Sequence, residues 1–281
     1  MFRVVFRDST ALAQVANALA VFPSANWELA NDGLHVSSLD GSQTSLVEVF
    51  IPANVFETYE VERPMVLGVH SPSIQSILKT AAHKKAVLCN VFKKAKRDEE
   101  GENNPDMIMI ELIDERAFDN VFQLHLLNVD TETLNIPETD WHVIVSLKTS
   151  LFLSILKNQL IVSDTTRIII TSQTTEWLID QKEPDETAVG DNLRILFVAA
   201  SEKGKNMIRL TNDQAQFPTK RETYIDTEFS LKFMLQFTTC GTDSDHVELY
   251  LAPEQPLILK FGIRNGGHLQ YWVAPKITDM Y

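Results

Sequence analysis

Acid–base catalysis and metal-assisted hydrolysis both need histidines, cysteines or carboxylates gathered at short, patterned spacings. The seven histidines, His35, His70, His83, His125, His142, His246 and His268, stand singly along the chain. Isolated histidines are the usual mark of structural residues, so no metal is expected. The two cysteines, Cys89 and Cys240, are far apart and form neither a zinc spacing nor a disulfide framework, which fits a reducing compartment. No G-x-x-x-x-G-K-[ST] phosphate loop, G-x-S-x-G elbow or H-E-x-x-H helix occurs. Gly262 to Gly267, GIRNGG, has the glycine density of a phosphate cradle, but it lies between two strand-like runs and reads as a hairpin turn. No cofactor is expected and the reading is a non-enzymatic protein; the rival from another class is an enzyme whose site carries no known signature.

Charge narrows the binding chemistry. With 38 acidic residues against 25 basic ones the net charge is −13, which argues against nucleic acid binding over the whole surface, so any DNA contact must be local. An acidic, solvated surface that keeps the protein soluble explains the same number. The opening MFRVVFRDST lacks the long apolar core of a signal peptide, and no run approaches the ~18 apolar residues of a membrane span. A soluble, intracellular protein without membrane contact is expected.

Chemistry must be positioned by elements, and 281 residues with 44% hydrophobic side chains suggest two domains, each burying its own core. Phe2 to Phe6 reads as a strand; Ser9 or Thr10 can cap a helix whose Leu12, Val15, Leu19 and Phe22 recur at helical spacing. Strands at Trp27 to Leu29, Leu34 to Ser38 and Ser45 to Ile51 follow, split by the turn signals Asn31-Asp32-Gly33 and Asp40-Gly41-Ser42. The order recurs: a strand at Met65 to Val69, a helix near Pro72 with Ile74, Ile77, Leu78 and Ala81 on one face, then strands at Ala86 to Phe92 and Met107 to Ile113. A third unit has a strand at Trp141 to Leu147, a helix from Thr149 to Asn158 and strands from Arg167 onward. A fourth has a strand at Thr223 to Asp226, a helix from Glu228 to Thr238, and strands at His246 to Leu251, Pro256 to Phe261 and Leu269 to Val273.

Four such units with hairpin-like links imply antiparallel sheets and few helices, an α+β protein with a fourfold quasi-repeat, two units to a domain. From periodicity alone an α+β fold without the repeat stays open. Asn128 to Asp140, NVDTETLNIPETD, is polar and broken by Pro137, and reads as an extended connector between domains 1–127 and 141–281. Lys93 to Asp106 and Gln181 to Asn192 are polar insertions. The basic-then-acidic order of the first fits either a partner site or a solvated tip that pairs its own charges.

Gly267 to Ile277, GHLQYWVAPKI, resembles the closing strand and tail of the proliferating cell nuclear antigen family of DNA sliding clamps. Asn128 to Glu138 resembles that family's interdomain loop, and Ser45-Leu46-Val47 after Leu39-Asp40-Gly41-Ser42 is similar to its first-domain hairpin. Met1-Phe2, Gly68-Val69 and Ile77-Leu78-Lys79 also fit. The likeness spans the chain and weakens between Ser172 and Asn206.

This resemblance implies a DNA-clamp fold: two similar domains of βαββ-type units in a homotrimeric ring, with sheets outside and helices lining a hole for duplex DNA. Partners would be double-stranded DNA held without sequence readout, a DNA polymerase, a clamp loader and other proteins with clamp-binding peptides, in the nucleus or at a cytoplasmic viral replication site. Lys79, Lys157 and Lys232 match the basic lining; Lys84, Lys85 and Lys148 lie near helix ends. The outward positions of the first helix, Ala13, Gln14, Asn17 and Ala20, carry no charge. The client-peptide pocket carried over comprises Leu39, Gln43, Thr44 and Leu46, then Leu134, Ile136 and Pro137, then Pro256, Trp272, Val273, Ala274 and Pro275. Gln43, Thr44 and Trp272 depart from the family pattern, and for Leu39 and Leu46 a role as plain strand core stands beside the pocket role. Subunits would join by strand addition, Val121 to Leu126 against Met207 to Thr211, and a proline at Ile208 is expected to delete a donor of that ladder. The alternative within the fold is a checkpoint clamp subunit or a viral processivity factor that forms no homotrimer.

Overall fold

A computed structural model describes residues 1–7, 9–42, 44–80, 85–91, 106–114, 118–128, 140–172, 193–211, 213–221, 224–263 and 266–276. Most of both polar insertions, and connector residues 129–139, lie outside these. The chain forms two compact units, Met1–Asn135 with Gly262–Leu269, and Ile136–Phe261 with Gln270–Tyr281.

The first unit contains β1 (Phe2–Phe6), α1 (Thr10–Ala18), β2 (Ser24–Leu29), β3 (Gly33–Leu39), β4 (Ser45–Pro52), β5 (Thr58–Val61), β6 (Met65–His70), α2 (Ser71–Leu78), β7 (Lys85–Val91), β8 (Met107–Ile113) and β9 (Asn120–His125). One antiparallel sheet runs β5-β1-β7-β8-β9, and β4, β3, β2 and β6 hydrogen-bond in that order in another. Period-two alternation sends Leu34, Val36, Val49 and Ile51 to one face of the β3–β4 pair, where all four are buried. There α1 packs on α2, and Leu12, Leu19, Phe22 and Trp27 are fully enclosed. Burying each such side chain contributes roughly 1.5–3 kcal/mol.

The second unit holds β10 (Val143–Lys148), α3 (Thr149–Leu160), β11 (Thr165–Thr171), β12 (Arg194–Ser201), β13 (Gly204–Arg209), β14 (Ala215–Lys220), β15 (Ile225–Ser230), α4 (Leu231–Cys240), β16 (His246–Leu251) and most of β17 (Leu257–Gly262) and β18 (His268–Val273). Its sheets run β13-β12-β11-β15 and β14-β10-β16-β17-β18, with α3 packed on α4. Gly241 ends α4 where a Cβ would meet the Phe261 ring at 2.4 Å, so no larger residue fits without moving that ring. Deeper in, Phe237 stacks on Tyr271 at 4.1 Å. Gly266 and Gly267, at φ 122° and 90°, turn β17 into β18 as the hairpin reading expects.

Strand, helix, then three strands recur four times, so the quasi-repeat read from periodicity is the fold's own plan. Several local expectations fail: α1 ends at Ala18, so Leu19 and Phe22 lie beyond it, and the strand read at Thr223 to Asp226 is Ile225–Ser230. The last helix begins at Leu231 and not Glu228: Glu228 and Phe229 pair with Arg167 and Thr166, and sheet pairing overrides their helix-compatible sequence. Gln14 on α1 does not face outward; it is buried, 6% exposed. Ser9 occupies the N-cap of α1, but its side chain makes no capping bond.

Candidate functional site

The four helices carry an unusual charge pattern for so acidic a chain. None of the 38 Asp and Glu residues lies in α1, α2, α3 or α4. Their charged residues are Lys157 in the last turn of α3 and Lys232 in the first turn of α4, with Lys79 capping the end of α2, and all three are exposed. A lysine at a helix C-terminus complements the macrodipole, as Lys79 and Lys157 do. Lys232 sits at the opposite pole, where a cation opposes the dipole, so helix stability does not explain it. Among the neighbouring lysines, Lys148 precedes α3 and is exposed, Lys84 lies outside the described residues, and Lys85 belongs to β7, bonded to Glu57 at 2.6 Å. On α1 Asn17 is exposed and Ala13 half-buried, with Ala20 exposed just beyond, and the face is uncharged.

Among the strands that end the sheets are β9 in the first unit and β13 in the second. Leu126 N–H donates to Asp106 O at 3.0 Å, so in an antiparallel ladder the amides of Phe122 and Leu124 also turn toward β8 and those of Val121, Gln123 and His125 turn away. Leu210 N–H donates to Ile195 O at 3.2 Å, which by the same alternation turns Asn206 and Ile208 toward β12 and Lys205, Met207 and Arg209 outward. This corrects the expectation for Ile208: its amide serves its own sheet, and the outward donor is Met207. The strand limits also shift, to Asn120–His125 and Gly204–Arg209. Leu126 falls outside the edge strand, as does Thr211, whose amide donates to Gln214 Oε1 at 3.1 Å.

Exposed apolar side chains mark the same places. Among the described residues the large ones are Met1, Phe118, Val121, Leu127, Leu160, Ile161 and Met207. Apart from Met1 they lie on or beside β9, on β13, or at the end of α3. Ile161 is 74% exposed and Val121 55%. Leu160 and Ile161 are not among the residues the sequence singles out; the available signal is two apolar residues running past the helix end off its buried stripe.

Residues carried over to the client pocket divide between the units. In the first, Leu39 pairs with Leu46 across β3 and β4; Leu46 is buried and Leu39 half-buried. Asp40 organises the adjoining turn: its carboxylate accepts Thr44 N–H at 2.7 Å, Ser45 N–H at 2.8 Å and the Ser42 hydroxyl. Burial raises its pKa, but hydrogen bonds from Ser42, Ser45 and Thr44 outweigh that and hold the carboxyl below its usual range. Thr44 is exposed, and Gln43 lies outside the described residues, as do Leu134, Ile136 and Pro137. In the second unit Tyr271 and Val273 of β18 point inward, leaving Trp272 half-buried on the other face with Pro256, Ala274 and Pro275 half-buried near by in sequence or strand order.

No group of three or more His, Cys, Asp or Glu among the described residues could hold a metal ion. No helix there is long and apolar enough to cross a membrane. Both thiols, Cys89 and Cys240, are pushed up in pKa, mainly by burial, which disfavours the nucleophilic thiolate.

Comparison with known proteins gives two family matches that together run almost the whole length. Residues 1–133 match the proliferating cell nuclear antigen N-terminal domain, and residues 135–276 match its C-terminal domain. A curated relative, proliferating cell nuclear antigen 2 of Drosophila melanogaster, is 24% identical over 273 residues, covering 95% of this chain and 94% of that protein. With its α+β two-domain clamp fold, the chain belongs to the proliferating cell nuclear antigen family.

Proposed function

We propose that the protein is a DNA sliding clamp: three copies close head to tail into a ring around duplex DNA, with domains 1–127 and 141–281 joined by connector 128–140. The observation that carries this is the pair of unlike sheet edges, β9 and β13, each bordered by exposed apolar side chains. Two different patches that complement each other on one chain make a heterologous contact, the kind that builds rings. Lys79, Lys157 and Lys232 face the DNA, and the absence of carboxylates from all four helices supports a lining that tolerates phosphates while the acidic remainder repels them. Such a ring holds DNA by encirclement, so few phosphate contacts suffice and sliding stays fast.

Polymerase, clamp loader and repair proteins dock peptide motifs over Leu39, Gln43, Thr44, Leu46, Leu134, Ile136, Pro137, Pro256, Trp272, Val273, Ala274 and Pro275, in the nucleus or at a cytoplasmic viral replication site. The protein itself catalyses nothing and needs no cofactor. Light scattering of the full chain at micromolar concentration tests the ring, and retention on closed circular DNA with release on linearisation tests encirclement. A monomer or dimer in solution would favour instead a checkpoint clamp subunit or a non-ring viral processivity factor.

A further inference from the structure

We infer that Gln159 is a positioning residue for ring closure, an inference that rests on the ring reading above. Its place is unexpected for an amide. Gln159 stands four residues after Ile155 and three after Leu156, on the buried stripe of α3, and it is fully enclosed. A buried amide is costly unless its groups are paired, and here they are. Nε2 donates to Asn206 Oδ1 at 2.7 Å and to Phe197 O at 3.2 Å, and Oε1 accepts the Thr166 hydroxyl at 2.8 Å. One side chain therefore ties the end of α3 to β11, β12 and β13 together. An apolar residue would fill the space without fixing any of these strands.

Asn206 is the informative partner. It lies on the edge strand, and its neighbours Lys205 and Met207 turn the other way, outward. Holding Asn206 holds the register and tilt of the free edge. The apolar step beside Gln159 is held by the backbone and a serine: Val162 N–H and Ser163 N–H donate to the Gln159 backbone carbonyl at 3.0 and 3.1 Å, and Ser201 Oγ donates to Val162 O at 2.6 Å. Leu160 and Ile161, 39% and 74% exposed, are thus pinned from both sides. The edge that would receive a neighbour's β9 and the apolar ledge that would pack against it are locked into one rigid piece. A second copy of this chain is the occupant this frame suits, because the exposed apolar residues Phe118, Val121 and Leu127 mark the opposite edge.

The test compares wild type, Gln159→Leu and Asn206→Ala as full chains. Gln159→Leu keeps the volume and deletes the bonds; Asn206→Ala removes only the arm to the edge strand. Each is expected to raise the concentration at the midpoint of assembly by about tenfold or more, with native circular dichroism retained. Hydrogen exchange of the Asn206 and Ile208 amides, which face β12, should also quicken in both when they are held monomeric by Val121→Asp. A purely stabilising role would lower the melting temperature and leave the midpoint in place, and that result overturns the proposal while leaving the ring intact. If Gln159→Leu does not fold, Asn206→Ala decides alone. A wild-type protein that stays monomeric at micromolar concentration removes both the ring and this role for Gln159.

Discussion

Replacing Met207 with proline should break the proposed ring while leaving the subunit folded. The Met207 amide points away from β12, so proline there costs the subunit no ladder bond, and edge strands tolerate proline in that orientation. Across the subunit interface the loss is direct. In the proposed interface Lys205, Met207 and Arg209 would face Val121, Gln123 and His125 and supply about six ladder hydrogen bonds, each contributing about 0.5–1.5 kcal/mol net. Proline deletes one donor, and its ring pushes the incoming strand off a second bond. The penalty is about 1–3 kcal/mol per interface, or about ten- to hundredfold in the association constant of each contact. Sedimentation equilibrium over a wide concentration range reads the shift, and thermal melting of the monomer reads the fold. Ile208→Pro is the contrast: its amide faces β12, so it should destabilise the subunit itself. A Met207→Pro protein that assembles as tightly as wild type would refute the assignment of β13 as the closing strand.

Changing Lys79, Lys157 and Lys232 together to glutamate should impair loading and processive synthesis without dissociating the trimer, since each phosphate left without its lysine takes about 0.9 off the slope of log affinity against log salt; a triple variant as processive as wild type on primed circular DNA at two salt concentrations would reject the assigned lining. Ile136→Asp is expected to weaken client-peptide binding by about 2 kcal/mol, because a charge against an apolar anchor is costly, and calorimetry with the fold intact decides it. Asp40→Ala should cost about 1 kcal/mol of stability near neutral pH by releasing the turn bonds to Thr44 and Ser45. Because the folded carboxyl is depressed, the wild-type advantage is present above the ordinary aspartate range and is lost as pH falls through the lower folded value, so the melting curves of the two proteins should converge in acid.

How much of this is legible in sequence depends on whether the deciding interaction is local. Strands such as β3 and β8 declare themselves by runs of β-forming residues, and the turn at Gly266-Gly267 by composition. The start of α4 misleads because Glu228 and Phe229 are chemically acceptable in a helix, and only their pairing with β11, about sixty positions earlier, makes them strand. Gln14 and Gln159 are polar residues on apolar stripes. Their spacing points inward while their chemistry points outward, and burial follows the spacing. The direction of the Ile208 amide is beyond reach, since it depends on which residue of β12 lies opposite. The lysines on helix ends are visible as residues, but that every carboxylate avoids the helices emerges only once the helix limits are known.

The unlikeness of the two edges has a consequence for mixtures. In the proposed ring a Met207→Pro subunit has a weakened receiving edge yet keeps a sound β9, so at concentrations too low for that edge to pair it can still join a growing assembly and then stop it, as a chain terminator does. One such subunit is enough to leave a trimer open. Mixed in equal amounts with wild type, and joining at random, it would leave only about one eighth of assemblies able to close. A cell carrying one good and one edge-dead copy of the gene would therefore suffer far more than a halving of function, and the damage would be passed on by the partner that still binds well.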